Sequence, residues 1–326
     1  MKRLKKYMIL LALLNHSFSG FSQQVTQFSQ YLNNNFLVNP AATNVNDHLN
    51  LDFSFRQQET GNIKSINSSY LSIYGALYAP KPSQKMTHGF RDKKYIENSS
   101  AGAFSAKITP VIGAIISKDN FGLVERSTFH VSTGIHLPLN SRYTLSTGAT
   151  IGSVLLNVSD DYFVLEENDL PFLNFVNGFN KQSFLDLGLG IWLYSDNLQV
   201  GYCLERLYSG NSLKAGNQET FKTNNQHFIQ LGFRLPLNKD WQITPTILAR
   251  INKMEPRGMD YSMKAIYKNR LWSTISLRKQ SLLVFNLGVN VSPYLSVNYS
   301  YDHGSIDQGM ESLSANELAL EINLFH

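Results

Sequence analysis

The chain has 326 residues, 29 Lys+Arg against 24 Asp+Glu, 43% hydrophobic residues and one cysteine. One cysteine excludes an intramolecular disulfide, and with it a disulfide-stapled extracellular module. The formal charge of +5 overstates the basicity, because Lys2, Arg3, Lys5 and Lys6 supply four of the 29 cations; without them 25 face 24, and nucleic acid is not an implied partner.

Those four cations precede a short apolar core, Met8 to Leu14, and Gly20-Phe21-Ser22 puts small residues before Gln23. The order basic, apolar, small predicts a secretory signal peptide over residues 1–22, too short to span a bilayer. Residues 23–48 follow as an amide-rich segment outside any strand pattern. Phe28, Tyr31, Leu32 and Phe36, spaced three, one and four apart, predict a short helix from about Thr26 to Asn35, stopped before Pro40.

From Leu49 the pattern changes to period two. In Leu49-Asn50-Leu51-Asp52-Phe53-Ser54-Phe55-Arg56 every odd residue is apolar and every even one polar, which gives a strand one apolar and one wet face. Fourteen segments carry alternation or strand composition, at about 49–57, 68–78, 106–117, 127–138, 142–157, 183–194, 197–207, 226–237, 241–251, 260–267, 271–278, 282–291, 294–302 and 316–325. Most approach the ~9–11 residues of a tilted membrane strand. The stretch from Ala101 to Ser117 is the least regular, because Pro110 interrupts it.

The connections carry a second rhythm. Asn140-Ser141, Ser195-Asp196, Asn238-Lys239-Asp240, Lys268-Asn269-Arg270 and Ser292-Pro293 are short turns, whereas 158–182, 208–225, 252–259 and 303–315 are long and polar. Short turns at one end and long loops at the other mark an outer-membrane barrel rather than a soluble sandwich. Two connections depart from it: 79–105 is long where a turn belongs, and Lys279 to Ser281 is short where a loop belongs. The fold expected is all-β, a transmembrane antiparallel β-barrel of about fourteen strands over residues 49–326, with 23–48 as an N-terminal periplasmic or plug segment. Lipid of the bacterial outer membrane is then its solvent, with Leu187, Leu231, Val289 and Leu320 facing it.

Catalytic and metal signatures are sparse. No Gly-x-Ser-x-Gly elbow occurs, and Cys203 has no local His partner. His130 and His136 share a strand face, but six residues at ~3.3 Å each separate them by about 20 Å, too far for one metal or one proton relay. Asp160-Asp161 and Glu166-Glu167 read as an exposed acidic loop more readily than as a Ca²⁺ site. The expectation is a protein that is not an enzyme and holds no metal or cofactor. The inward positions Asp52, Arg56, Asp186, Glu205, Arg250, Lys264, Arg278, Asp302, Glu317 and Glu321 mix both signs. An ion-selective pore favours one sign, so the mixture predicts a paired, partly filled lumen.

Gln27-Phe28-Ser29-Gln30-Tyr31 followed by Asn39-Pro40-Ala41 resembles the mature N-terminus of the PorP/SprF family, and Tyr299-Ser300-Tyr301-Asp302 resembles its Tyr-x-Tyr-Asp element. Glu317 and its alternating strand resemble the family's closing strand, with Asn316 where His is usual. The resemblance implies an outer-membrane protein of type IX secretion and gliding, whose partners are type IX secretion components and a secreted adhesin with a C-terminal sorting domain. A passive porin or small-solute channel is the alternative. Candidate contact residues are Gln27, Phe28, Gln30, Tyr31, Phe36, Asn39 and Pro40, in a strip that is either a docking surface or a lumen plug. Tyr162, Phe163, Phe172, Phe175 and Phe221, on the long loops 158–182 and 208–225, form the second candidate surface.

Overall fold

In a computed structural model of the chain, the alternating segments pair edge to edge into one antiparallel sheet that closes on itself. The structure describes residues 28–43, 49–60, 63–77, 108–122, 124–158, 181–207, 225–252, 258–278, 282–305 and 312–324. The signal-peptide reading, Gln27, the segment 79–105 and the loop aromatics Tyr162, Phe163, Phe172, Phe175 and Phe221 lie outside the described residues.

The strands are β1 (Leu49–Thr60), β2 (Ile63–Ala76), β3 (Thr109–Phe121), β4 (Val124–Pro138), β5 (Thr144–Val158), β6 (Lys181–Tyr194), β7 (Leu198–Glu205), β8 (Gln226–Phe233), β9 (Leu235–Pro236), β10 (Trp241–Asn252), β11 (Gly258–Tyr267), β12 (Leu271–Arg278), β13 (Leu282–Asn290), β14 (Leu295–Ser305) and β15 (Ser312–Leu324). β8 and β9 are one stave, so the wall has fourteen. Its register against β10 runs through the gap unchanged, from Gly232↔Thr246 to Leu235↔Ile243. The break falls opposite Pro245, which has no N–H to donate, and the Arg234 N–H goes instead to the Asn197 carbonyl at 2.8 Å. Pairing of β1 with β15, from Leu49↔Leu324 to Thr60↔Leu313, closes the ring.

Burial decides what the wall separates. A soluble sandwich buries its apolar rows, but here the polar rows are buried and the apolar rows exposed. Leu287 is 60% exposed, Ile151 57% and Leu189 53%, while Asp302 and Glu317 are 0%. Exposed apolar surface on every stave is stable only against hydrocarbon. Leu320 faces outward with them, and Leu187, Leu231 and Val289 are half-exposed on the same side. No described helix is long and apolar enough to cross a membrane, and the chain crosses with strands.

The short connections after β4, β6, β9, β11 and β13 fall at one end, the turn end, which in such barrels faces the periplasm. Asn140 and Asn238 build their turns by accepting from backbone N–H groups two and three residues on, at 2.8–2.9 Å. Lys268 and Asn269 both have positive φ, 48° and 53°, as a tight hairpin requires. At the opposite, loop end the rhythm is looser than the sequence suggests. Only two residues separate β1 from β2 and β3 from β4, and three separate β12 from β13. Pro110 does not disrupt β3, because it occupies the strand's second residue, where a missing donor matters least.

The helix expected over Thr26–Asn35 does not form. Two 3₁₀ turns stand there, Ser29–Leu32 and Asn35–Leu37. Amide side chains compete for backbone partners, and here the wall engages those side chains.

Candidate functional site

Residues 28–43 lie inside the barrel. Phe28 is half-buried and the other aromatics are covered, with Tyr31 at 3% and Phe36 at 2% exposure. Of the two roles open to this strip, its geometry is that of a plug.

Its first part is held by charge. Ser29 donates its backbone N–H to Glu317 at 2.6 Å and its hydroxyl to Asp302 at 2.8 Å, and accepts from Arg56 at 3.0 Å. These partners come from β1, β14 and β15 in the half nearer the loop end. Arg56 also pairs with Asp302 at 2.9 Å and Glu317 at 3.6 Å, and Arg278 reaches Asp302 at 3.8 Å. Arg278 and Arg250 both pair with Asp260, at 3.2 and 2.7 Å. Both guanidiniums lie over the Tyr31 ring, Arg250 at 5.6 Å and Arg278 at 5.8 Å from its centroid, in cation–π range. Three cations therefore meet three anions in one buried cluster, and the charges cancel.

The middle is read by amides. Gln30 accepts from Asn286 at 2.7 Å, and Asn33 accepts from Lys264 at 2.8 Å. Asn34 donates to Asp52 and Ser72 at 3.0 and 2.8 Å, and Asn35 accepts from Gln230 at 2.9 Å. These bonds satisfy polar groups that burial would otherwise leave costly.

The last part is held by shape. Asn39 donates to the carbonyls of Ile191 and Tyr202, both at 3.2 Å. A side chain at Gly190 would collide with Asn39, and a Cβ at Gly148 would sit 2.6 Å from the Pro40 carbonyl. Bare backbone on β5 and β6 thus makes the notch that Asn39-Pro40-Ala41 fills. Ala41 packs against Trp192 and Tyr194. Thr43 bonds His136 Nε2 at 2.8 Å near the turn end.

Above Phe36, Leu37 and Pro40 remains a cavity of about 30 Å³, lined also by His130, Asp186 and Glu205. That is room for about two waters. The two histidines serve separate contacts, His130 with Asp186 at 3.1 Å and His136 with Tyr194 at 2.9 Å. Among the described residues no group of three His, Cys, Asp or Glu is placed to share a metal ion, and the Cys203 thiol is buried.

The structure brings together Phe28, Gln30, Tyr31, Phe36, Asn39 and Pro40, all inside the lumen. Sequence reasoning passed over Ser29 and Asn33 to Asn35, which make as many wall contacts. It also passed over the glycine notch. The signal was present: Gly113, Gly148, Gly190 and Gly201 all fall on inward positions of strands β3 and β5 to β7.

No curated protein matches this sequence. Among solved structures, the CymD monoaromatic hydrocarbon channel superposes with a TM-score of 0.55 at 10% identity, over 94% of this chain and 96% of that one. The Pseudomonas putida toluene transporter TodX gives 0.51 at 12% identity, over 93% and 95%. The Ralstonia pickettii toluene transporter TbuX gives 0.51 at 10%, over 89% and 93%. At such identities the likeness is one of fold. A family model described as type IX secretion system membrane protein PorP/SprF matches residues 20–324. With a fourteen-stave wall that turns its apolar rows outward, this chain belongs to the PorP/SprF family and is a multi-pass outer-membrane β-barrel.

Proposed function

We propose that the barrel serves type IX secretion as a closed, non-catalytic outer-membrane component that supports export or surface attachment of an adhesin with a C-terminal sorting domain. The observation that carries this reading is the filled lumen. Residues 28–43 bond to strands around the ring, from β1 and β2 through β6 and β8 to β15. A barrel occupied in this way is suited to anchoring and poorly suited to passive diffusion. Its partners would then meet it at its rims. The loop aromatics Tyr162, Phe163, Phe172, Phe175 and Phe221 remain the proposed contact surface there.

A second reading, a small-solute channel, draws on the fold shared with hydrocarbon channels and toluene transporters. The lumen chemistry weighs against a hydrocarbon cargo. Its wall presents Asp52, Asn286, Asn298, Ser300 and Lys264, all buried and polar, and lining an apolar solute with such groups costs hydrogen bonds. Deleting the gene and comparing surface proteomes separates the two readings. Loss of one or more sorting-domain proteins from the surface supports the secretion role. An unchanged surface proteome with reduced small-solute uptake replaces it with the channel.

A further inference from the structure

Charge is unevenly spread over the turn end. Two neighbouring connections, 237–240 between β9 and β10 and 268–270 between β11 and β12, are tied together by backbone. The Lys268 N–H donates to the Asp240 carbonyl at 2.7 Å. Asn290, at the end of β13, donates to the Arg270 and Asn269 carbonyls at 2.8 and 2.9 Å. On the resulting shelf Lys239, Lys268 and Arg270 are exposed and face one acid, Asp240, an excess of two cations. Among the other described turns, 139–143 carries Arg142 alone, 195–197 carries Asp196 alone, and 291–294 carries no charge.

The shelf adjoins the lipid-facing wall. Trp241, Tyr267 and Leu271 are register partners across β10, β11 and β12 and form the last outward row before the turns. The Trp241 and Tyr267 rings stand 4.7 Å apart, and the Lys268 ammonium lies 5.2 Å from the Tyr267 centroid. In the next row the small residues Ala265 and Ser273 are paired between Ile243 and Leu287, which leaves a shallow place in the wall. A membrane lipid necessarily covers these rows, because only hydrocarbon suits such a surface. Aromatic rings at strand ends mark the depth of the headgroups. The lipid over this row therefore holds its phosphate level with the shelf, within reach of long cationic side chains.

We propose that the turn-end shelf is a binding site for an anionic glycerophospholipid. An acyl chain lies over Ala265 and Ser273, Trp241 and Tyr267 flank the glycerol region, and Lys239, Lys268 and Arg270 surround the phosphate. A zwitterionic headgroup gains less there, because its own cation meets the same excess of positive charge. The site is independent of the secretion role and would hold for a channel as well.

The protein carries its own reporter. Of its three tryptophans, Trp192 and Trp272 are buried in the lumen at 3% and 7% exposure, whereas Trp241 is 44% exposed on the lipid face. Quenching by brominated lipids therefore reads the lipid beside the shelf. The full chain is reconstituted at low salt in phosphatidylcholine vesicles containing brominated phosphatidylglycerol or, in parallel, brominated phosphatidylcholine. Phosphatidylglycerol should be preferred about 25-fold, roughly fivefold for each excess cation, and molar salt should erase most of that preference. Lys268→Asn, which suits the positive φ at this position, should lower the preference about fivefold, and Lys268→Asn with Arg270→Gln should abolish it. Arg142→Gln, on a separate turn, should leave it unchanged. The unheated gel shift confirms that each variant is folded. Equal quenching by the two lipids, or a preference that survives the double substitution, would overturn the site. A preference lost equally in Arg142→Gln would mean diffuse surface charge rather than a site, and would overturn it as well.

Discussion

Replacing Asp260 with alanine should destabilise the barrel by about 3–5 kcal/mol, the cost of breaking a buried ion pair from one side. Asp260 is 0% exposed and takes contacts from Arg250 at 2.7 Å and Arg278 at 3.2 Å. Its removal leaves a cluster that was balanced at three against three with one excess buried cation. The double substitution Arg250→Met with Asp260→Leu removes one charge of each sign, so two cations again face two anions. It should recover most of the loss, because apolar replacement of a whole buried pair is often neutral. Glu125→Ala is the reference. Its partner Lys118 stands 3.0 Å away, with side chains 57% and 38% exposed, and such a pair contributes about 0–1 kcal/mol. Urea titration of the barrel in lipid vesicles, followed by tryptophan fluorescence and the unheated gel shift, gives the free energies. A loss under about 1 kcal/mol for Asp260→Ala, below the range for a broken buried pair, or a double variant no better than the single, would refute the charge-balance account of the lumen.

Other outcomes follow from the wall and the plug. Leu287→Arg, at the centre of the outward row of β13, should cost about 2–4 kcal/mol, whereas Val291→Arg beside the turn should cost about 0–1 kcal/mol; equal costs in the same titration would contradict a lipid-facing Leu287 deep in the bilayer. The intact chain should be silent in planar bilayers, and a variant lacking 28–43 should conduct steadily; stable wild-type conductance would mean the plug does not seal. An activated phosphonate probe should label no serine in the purified barrel, and stoichiometric labelling would point to a hydrolase.

The wall was legible because its signal repeats. Fourteen segments of alternation or strand composition map onto fourteen staves, and the sign-mixed inward list fell on lumen positions, with Asp52, Arg56, Arg278, Asp302 and Glu317 all at 3% exposure or less. The strand ends were less legible. β2 begins at Ile63 rather than near 68, and β15 at Ser312 rather than 316, because outward polar residues above the bilayer blur the alternation. The plug was hardest to read, since its conformation is set by the wall. Spacing of Phe28, Tyr31 and Phe36 suggested a helix, but Asn33, Asn34 and Asn35 bond across the lumen and leave only 3₁₀ turns. Gly188-Leu189-Gly190 has the pattern of ordinary strand glycine, and only the position of Asn39 against Gly190 gives it a role.

The seam between β1 and β15 imposes an order on assembly. It pairs the strands over twelve positions from Leu49↔Leu324, the most distant strand pairing among the described residues, and closing so large a loop carries the largest chain-entropy cost of any pairing. Residues 28–43 precede β1 and so emerge before the described strands. They touch both flanks of that seam, Arg56 on one side and Glu317 on the other. The segment that occupies the finished lumen can therefore also act as a jig, holding the first and last staves in register while the ring is still open. Loss of the Ser29 contacts would then slow insertion into the membrane, a kinetic defect that equilibrium stability alone would not reveal.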